Sequence, residues 1–185
     1  MTKRARTMLR QIDRATQSWF LPVIGRDKGR FIARLVDRHR PKRAIEIGSL
    51  IGYSAIVIAG NLPPGGRLTS IELNPYMARI ADRNATAAGL KSRVRVIAGD
   101  ARRVLPFLGS RFAFALIDAA KEEYLEYLRA LEPRLVKGAW VVADNTKIFE
   151  RQLRDYLAYV RRSGRYESRA QDFGQDAMEV SRFLG

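Results

Sequence analysis

The chain has 185 residues, 46% of them hydrophobic and none of them cysteine. That size and composition describe one globular domain with a sizeable core, and they exclude disulfides, thiolate metal sites and a cysteine nucleophile. Lys and Arg number 34 against 19 Asp and Glu, a formal charge of +15, which raises affinity for polyanions such as RNA through counterion release.

Residues 4–20 read as a basic helix carrying Arg4, Arg6, Arg10 and Arg14. Residues 1–22 are expected to be a helical extension of the single domain, 1–185. They lack the continuous apolar core of a secretory signal; an organellar transit peptide is the alternative. Residues 28–39 form a second helix, in which Phe31, Ile32, Leu35 and Val36 recur at helical spacing before Pro41 ends it. Strand and helix then alternate. Strands are expected at 43–47, 67–72, 94–98, 112–117 and 139–144, followed by helices at 54–59, 75–88, 101–108, 121–135 and 149–162. Two last strands, 166–171 and 178–183, flank the turn-like DFGQD. Five such alternations imply a parallel sheet with helices on both faces, and the final pair reads as an antiparallel hairpin at one edge. No apolar run is long enough to span a bilayer, so no membrane role is expected. The absence of cysteine fits a cytoplasmic protein. The other basic residues are scattered, and no aromatic-and-basic RNA-binding motif joins them.

Ligands of such sheets sit at the carboxyl ends of the strands. The first strand ends in AIEIGSLIGYSA, where Glu46, Gly48 and Gly52 give E-x-G-x-x-x-G ahead of Tyr53 and Ser54. Glycines there let the backbone turn tightly and approach a ligand. A dinucleotide site prefers G-x-G-x-x-G, and Leu50 stands where its second glycine belongs. The spacing suits a nucleoside without a pyrophosphate, or else a glycine turn with no ligand. Glu72 ends the second strand, 20 residues after Gly52. It can accept from both ribose hydroxyls or cap the helix that starts at Asn74-Pro75. Asp100 can take an adenine amino group or cap the helix beginning at Ala101. Together these ends outline an adenosine site.

Strands four and five end in LIDAAKEEY and VVADNT. Asp118, Asp144 and Asn145 then meet at adjacent strand ends as an all-oxygen set, which selects Mg²⁺, Mn²⁺ or Ca²⁺ over zinc. Three protein ligands leave the shell open for water or substrate, as metal-assisted chemistry needs; the plainer alternative is a helix cap and a turn. Lys121 stands at a helix start whose dipole prefers anions. A nearby dication favours its neutral amine, the form a general base needs; otherwise it is a surface lysine paired with Glu122 or Asp118. His39, the one histidine, lies away from these strand ends and reads as structural or solvated.

Jointly, GRDKGRFI, AIEIGSLIGYSA, LTSIELNP, IAGDA, LIDAAKEEY, VVADN and DAMEVSRF resemble the cation-dependent O-methyltransferases that use S-adenosylmethionine, the family of the catechol and caffeoyl-coenzyme A enzymes. The resemblance runs from about residue 24 to residue 183. It implies a Rossmann-like methyltransferase fold, α/β, with a seven-stranded mostly parallel sheet and an antiparallel last strand. By the same resemblance, Gly48, Tyr53, Ser54 and Glu72 bind the cofactor with Ile24 and Ala101 nearby, and Glu46, Asp100 and Asp118 complete the set. Asp118, Asp144 and Asn145 hold Mg²⁺, and Lys121 takes the proton of the attacking hydroxyl. The expected acceptor is a small catechol-like or other vicinal diol.

There are departures from the family. Ala119 and Ala120 replace the bulky aromatic residues of the catechol branch. Asp172 is the nearest candidate for the acid that contacts the second substrate hydroxyl. The segment before Gly29 is short, which implies a reduced lid and leaves Trp19 and Phe20 to gate the pocket. The charge keeps two alternatives open: a methyltransferase for a hydroxylated RNA base, and a non-catalytic binder of S-adenosylmethionine. A dehydrogenase fails on the glycine spacing. A monomer or a homodimer is expected.

Overall fold

The computed structural model describes residues 1–19 and 21–185, without the side chains of Gln17 and Trp19. The strands are β1 (Arg43–Ile47), β2 (Arg67–Glu72), β3 (Val94–Ala98), β4 (Phe112–Ile117), β5 (Leu135–Ala143), β6 (Tyr166–Asp172) and β7 (Ala177–Phe183). The helices are α1 (Lys3–Trp19), α2 (Gly25–His39), α3 (Tyr53–Asn61), α4 (Pro75–Ala87), α5 (Ala101–Val104), α6 (Tyr124–Leu131) and α7 (Arg154–Arg162). The strands form one sheet in the order β3-β2-β1-β4-β5-β7-β6. β7 runs antiparallel to both of its neighbours, so β6 points with the parallel strands and β7 alone is reversed. The expected hairpin is present, but its second strand slots inside the sheet and its first becomes the edge.

Central strands buried on both faces need apolar residues at every position, with successive side chains pointing opposite ways. β4 shows this. Phe114 and Leu116 join Ile32, Val36 and Ile56 in the layer under α1 to α4. Ala115 and Ile117 join Leu128, Tyr156 and Val160 in the layer under α5 to α7. Strand order reverses between β1 and β4, and a crevice opens there at the carboxyl ends.

Several elements differ from expectation. The helix expected over 101–108 is the short α5 followed by a 3₁₀ turn, Leu105–Phe107. The helix expected over 121–135 is α6 flanked by short 3₁₀ turns, Lys121–Glu123 and Glu132–Arg134. Pro133 supplies no N–H to continue it. β5 therefore starts at Leu135 rather than at 139, and its pairing with β4 jumps from Phe112↔Leu135 to Phe114↔Trp140. Gly138 turns that bulge with φ 83°. The helix expected from 149 begins at Arg154, and residues 147–153 form hydrogen-bonded turns. Among the described residues no helix is long and apolar enough to cross a membrane. The expected gating by Trp19 and Phe20 lies outside the described residues. His39 stacks on Trp140 with ring centroids 4.4 Å apart, a packing role.

Candidate active site

A cavity of 740 Å³ fills the crevice, within the range of small-molecule sites. Ile24, Gly48, Tyr53, Ser54, Glu72, Asp100, Ala101, Asp118, Lys121, Asp144 and Asn145 line it. Eleven of the twelve expected site residues therefore converge; Glu46 is the exception.

At the β1 end, the backbone turns sharply at Gly48, with φ 88°. A Cβ there would lie 2.0 Å from the carbonyl oxygen of Asp118, so only glycine lets β1 and β4 end this close together. Leu50 also adopts a left-handed conformation, with φ 46°. Glu72 holds that turn: its Oε2 accepts from the Ser49 N–H at 3.1 Å and the Leu50 N–H at 2.8 Å. Its Oε1 accepts from the Asn74 N–H at 2.9 Å. Asn74, not Glu72, caps α4. Asp100 does cap α5, accepting from the Arg102 N–H at 2.9 Å, and it pairs with the Arg102 guanidinium at 2.9 Å. The capping alternative is therefore realised at Asp100. The hydrogen bond and charge of Arg102 hold its carboxyl below the usual range. Tyr53 reaches towards Asp13 on α1. Burial first, then the Asp13 charge and hydrogen bond, push its hydroxyl up to about 12.

Glu46 lies beneath this turn and does not line the cavity. It is fully buried; Oε2 accepts from Ser70 Oγ at 2.5 Å, while Oε1 has no partner. Desolvation raises its pKa from 4.5 to about 7; Ser54 and Ser70 oppose the rise, and the charges of Asp118 and Glu72 add to it. Between those two values the folded state holds a proton that the unfolded chain has lost. The contribution of Glu46 to stability therefore falls as pH rises from 4.5 to about 7 and changes no further above that. Glu46→Gln abolishes that loss. Relative to the parent, the variant should gain about 2–3 kcal/mol across the window, read by urea unfolding at pH 5 and pH 8. Equal differences at both pH values would contradict a neutral buried carboxyl.

The β4 and β5 ends carry the charges. Lys121 Nζ donates to Asp118 Oδ1 at 2.9 Å and to the Tyr124 hydroxyl at 2.8 Å. It also stands over the Phe149 ring at 5.7 Å. Asp144 is 1% exposed. Burial and the facing charge of Asp118 raise its pKa to about 6, against the opposing charge of Lys28. Asn145 sits at φ 62°. Its backbone N–H donates to Asp144 Oδ1 at 2.7 Å, and its Nδ2 donates to Asp176 Oδ2 at 2.9 Å. That anchor turns the carboxamide oxygen the other way.

Two residues here escaped the sequence reading. Lys28 Nζ lies 2.5 Å from Asp144 Oδ1 and 2.5 Å from Asp176 Oδ2. Burial opposes the charge of Asp176, but hydrogen bonds from Lys28, Asn145 and backbone N–H groups hold its pKa down at about 2. The expected acid, Asp172, is instead 67% exposed at the hairpin turn and bonded to the Gly174 N–H at 2.7 Å. Asp176 is the acid that stands beside the site, because the residue preceding the reversed strand β7 lies where β5 ends.

Does this set suit a hard divalent cation? Among the described residues no cluster of three His, Cys, Asp or Glu forms a cage. The donor types nevertheless fit. Lys121 and Lys28 each take one carboxylate oxygen, on Asp118 and Asp144. Oδ2 of both residues and the Asn145 Oδ1 accept no hydrogen bond from the described residues. Three oxygens, two of them anionic, are left for a hard cation with open positions.

A sheet of this order with one reversed strand, and a nucleoside-sized cavity at its switch point, defines the Rossmann-like methyltransferase class. The O-methyltransferase family matches residues 2–156, and the chain belongs to that family, whose members take their methyl group from S-adenosylmethionine. Catechol O-methyltransferase of Sus scrofa is 36% identical over 151 residues, 78% of this chain and 80% of that protein. The enzyme of the same name from Mus musculus is 33% identical over 158 residues, 82% of this chain but 58% of that protein. Among solved structures, the O-methyltransferase TomG of Streptomyces achromogenes, in complex with S-adenosylmethionine, superposes with TM-score 0.85 at 26% identity. The match covers 96% of this chain and 90% of that one.

Proposed function

We propose that this O-methyltransferase moves the methyl of S-adenosylmethionine to one hydroxyl of a small catechol-like vicinal diol, with Mg²⁺ held by Asp118, Asp144 and Asn145. The observation that carries the reading is the set of three uncommitted oxygens at the cavity edge, beside a lysine on the same wall. Mn²⁺ or Ca²⁺ suits the same donors. A divalent cation held by these residues would supply the positive charge that lowers the pKa of a substrate hydroxyl.

The rest falls to the chain. The Gly48 turn and Glu72 seat the nucleoside, with Ile24 and Ala101 against it. Lys121 accepts the hydroxyl proton while Asp118 and the Tyr124 hydroxyl fix Nζ in place. The freed oxygen pair attacks the sulfonium methyl in line, the carbon–sulfur bond breaks, and the uncharged thioether leaves. Positioning in a partly dry cavity supplies much of the rate. Ala119 and Ala120 leave room along the wall that follows Asp118, so the acceptor has space for substituents. A cytoplasmic location, and a monomer or homodimer, belong to the same proposal.

The test is transfer of labelled methyl from S-adenosylmethionine to a simple catechol, with Mg²⁺ and then with EDTA. Transfer abolished by EDTA supports the reading. Tight cofactor binding without transfer sinks the catechol acceptor. The charge of +15 favours RNA as the second reading. Activity on RNA should fall steeply with added salt, while activity on a catechol should barely change.

A further inference from the structure

Lys28 has no place in the chemistry above, yet it is one of the most committed side chains of the site. It rises from α2, is 12% exposed, and lies 2.5 Å from both Asp144 and Asp176. These two acids belong to different segments, the end of β5 and the approach to β7. The site thus holds three carboxylates, of Asp118, Asp144 and Asp176, against two ammonium groups, of Lys28 and Lys121. Lys121 belongs to Asp118 and Lys28 to Asp144, so each anionic donor already has a cation on one oxygen.

We infer that Lys28 is a resident cation of the metal pocket, whose charge holds the affinity for a divalent ion down. This rests on the metal-dependent reading proposed above. An ammonium bonded to one oxygen of a buried carboxylate withdraws charge from the other oxygen. It also repels any second cation at that carboxylate, and the low exposure of the site weakens screening. Lys28 therefore stabilises Asp144 and Asp176 while the ion is away and makes the ion exchangeable. A purely structural lysine, one that only ties β5 to the hairpin, predicts the opposite response to its removal: looser donors and weaker metal binding.

The experiment is a Mn²⁺ titration of the full chain, followed by the electron paramagnetic resonance of free Mn²⁺, with Mg²⁺ affinity obtained by competition. Lys28→Met and Lys28→Gln keep length and remove charge, and Lys28→Arg keeps the charge. Circular dichroism and thermal unfolding identify which neutral variant is folded. The neutral variants should bind Mn²⁺ about tenfold or more tightly than the parent, and Lys28→Arg should stay within a fewfold of it. If the parent binds and both folded neutral variants bind equally or more weakly, the inference is overturned and the metal reading survives. If the parent and the neutral variants all fail to bind at millimolar Mn²⁺, the metal reading fails and the inference with it. Binding gained only in the neutral variants supports it.

Discussion

In Asp144→Asn, methyl transfer to a catechol should fall on the order of 10³-fold while the protein stays folded. The two halves of that expectation have separate causes. Asp144 carries an anionic oxygen free of hydrogen bonds, and the carboxamide keeps the shape while removing the charge. Stability should not suffer, because Asp144 is a costly anion in the fold. It is 1% exposed and faces Asp118, and its pKa is raised from 3.8 to about 6, burial being the main cause. Ionised Asp144 therefore opposes folding at neutral pH, increasingly as pH rises from 3.8 to about 6. The amide relieves that cost, and Lys28 keeps Asp176 as partner. The measurement pairs steady-state kinetics with a thermal midpoint at pH 7.5. A variant that retains activity, with or without EDTA, would overturn the metal-binding role proposed for Asp144. One that loses activity by unfolding would contradict the account of its burial.

The strand ends were legible because doubly buried parallel strands write themselves as unbroken apolar runs. FALI and WVVA stop abruptly at Asp118 and Asp144, and those residues lie where ligands bind. Glu46 broke the pattern: it sits inside a strand, so alternation sends its side chain into the packed layer rather than to the end. Its place in the glycine motif hid this. Lys28 was illegible for another reason. Its bond to Asp144 joins residues 116 apart, and no local periodicity encodes such a pair; GRDKGRFI contributes to the family resemblance without assigning Lys28 a role. Asp176 could have been found. DFGQD has an acid at each end, and the turn exposes one of them. Once the last strand is taken as antiparallel and beside β5, the residue entering it must neighbour the residues leaving β5. The Thr146 N–H bonded to the Ala177 carbonyl at 2.9 Å is that neighbourhood.

Lys121→Met should lower kcat by about 10²–10⁴-fold, the usual worth of a positioned general base, with little change in cofactor affinity. Nζ is fixed on two sides, by Asp118 at 2.9 Å and by the Tyr124 hydroxyl at 2.8 Å. The Tyr124 ring and hydroxyl are buried, and burial pushes its phenol well above the ordinary value, so Tyr124 stays neutral and orients the amine without competing for the proton. Methionine cannot accept a proton at all. It also leaves both oxygens of Asp118 without an ammonium, so the loss mixes two effects. Lys121→Arg separates them, because a guanidinium restores the charge beside Asp118 but does not give up its proton in a protein. If Lys121 is the base, arginine should be nearly as inactive as methionine in single-turnover methyl transfer, while both variants still bind S-adenosylhomocysteine. An arginine variant that recovers most of the rate would make Lys121 a counter-charge for Asp118 and pass the proton to solvent.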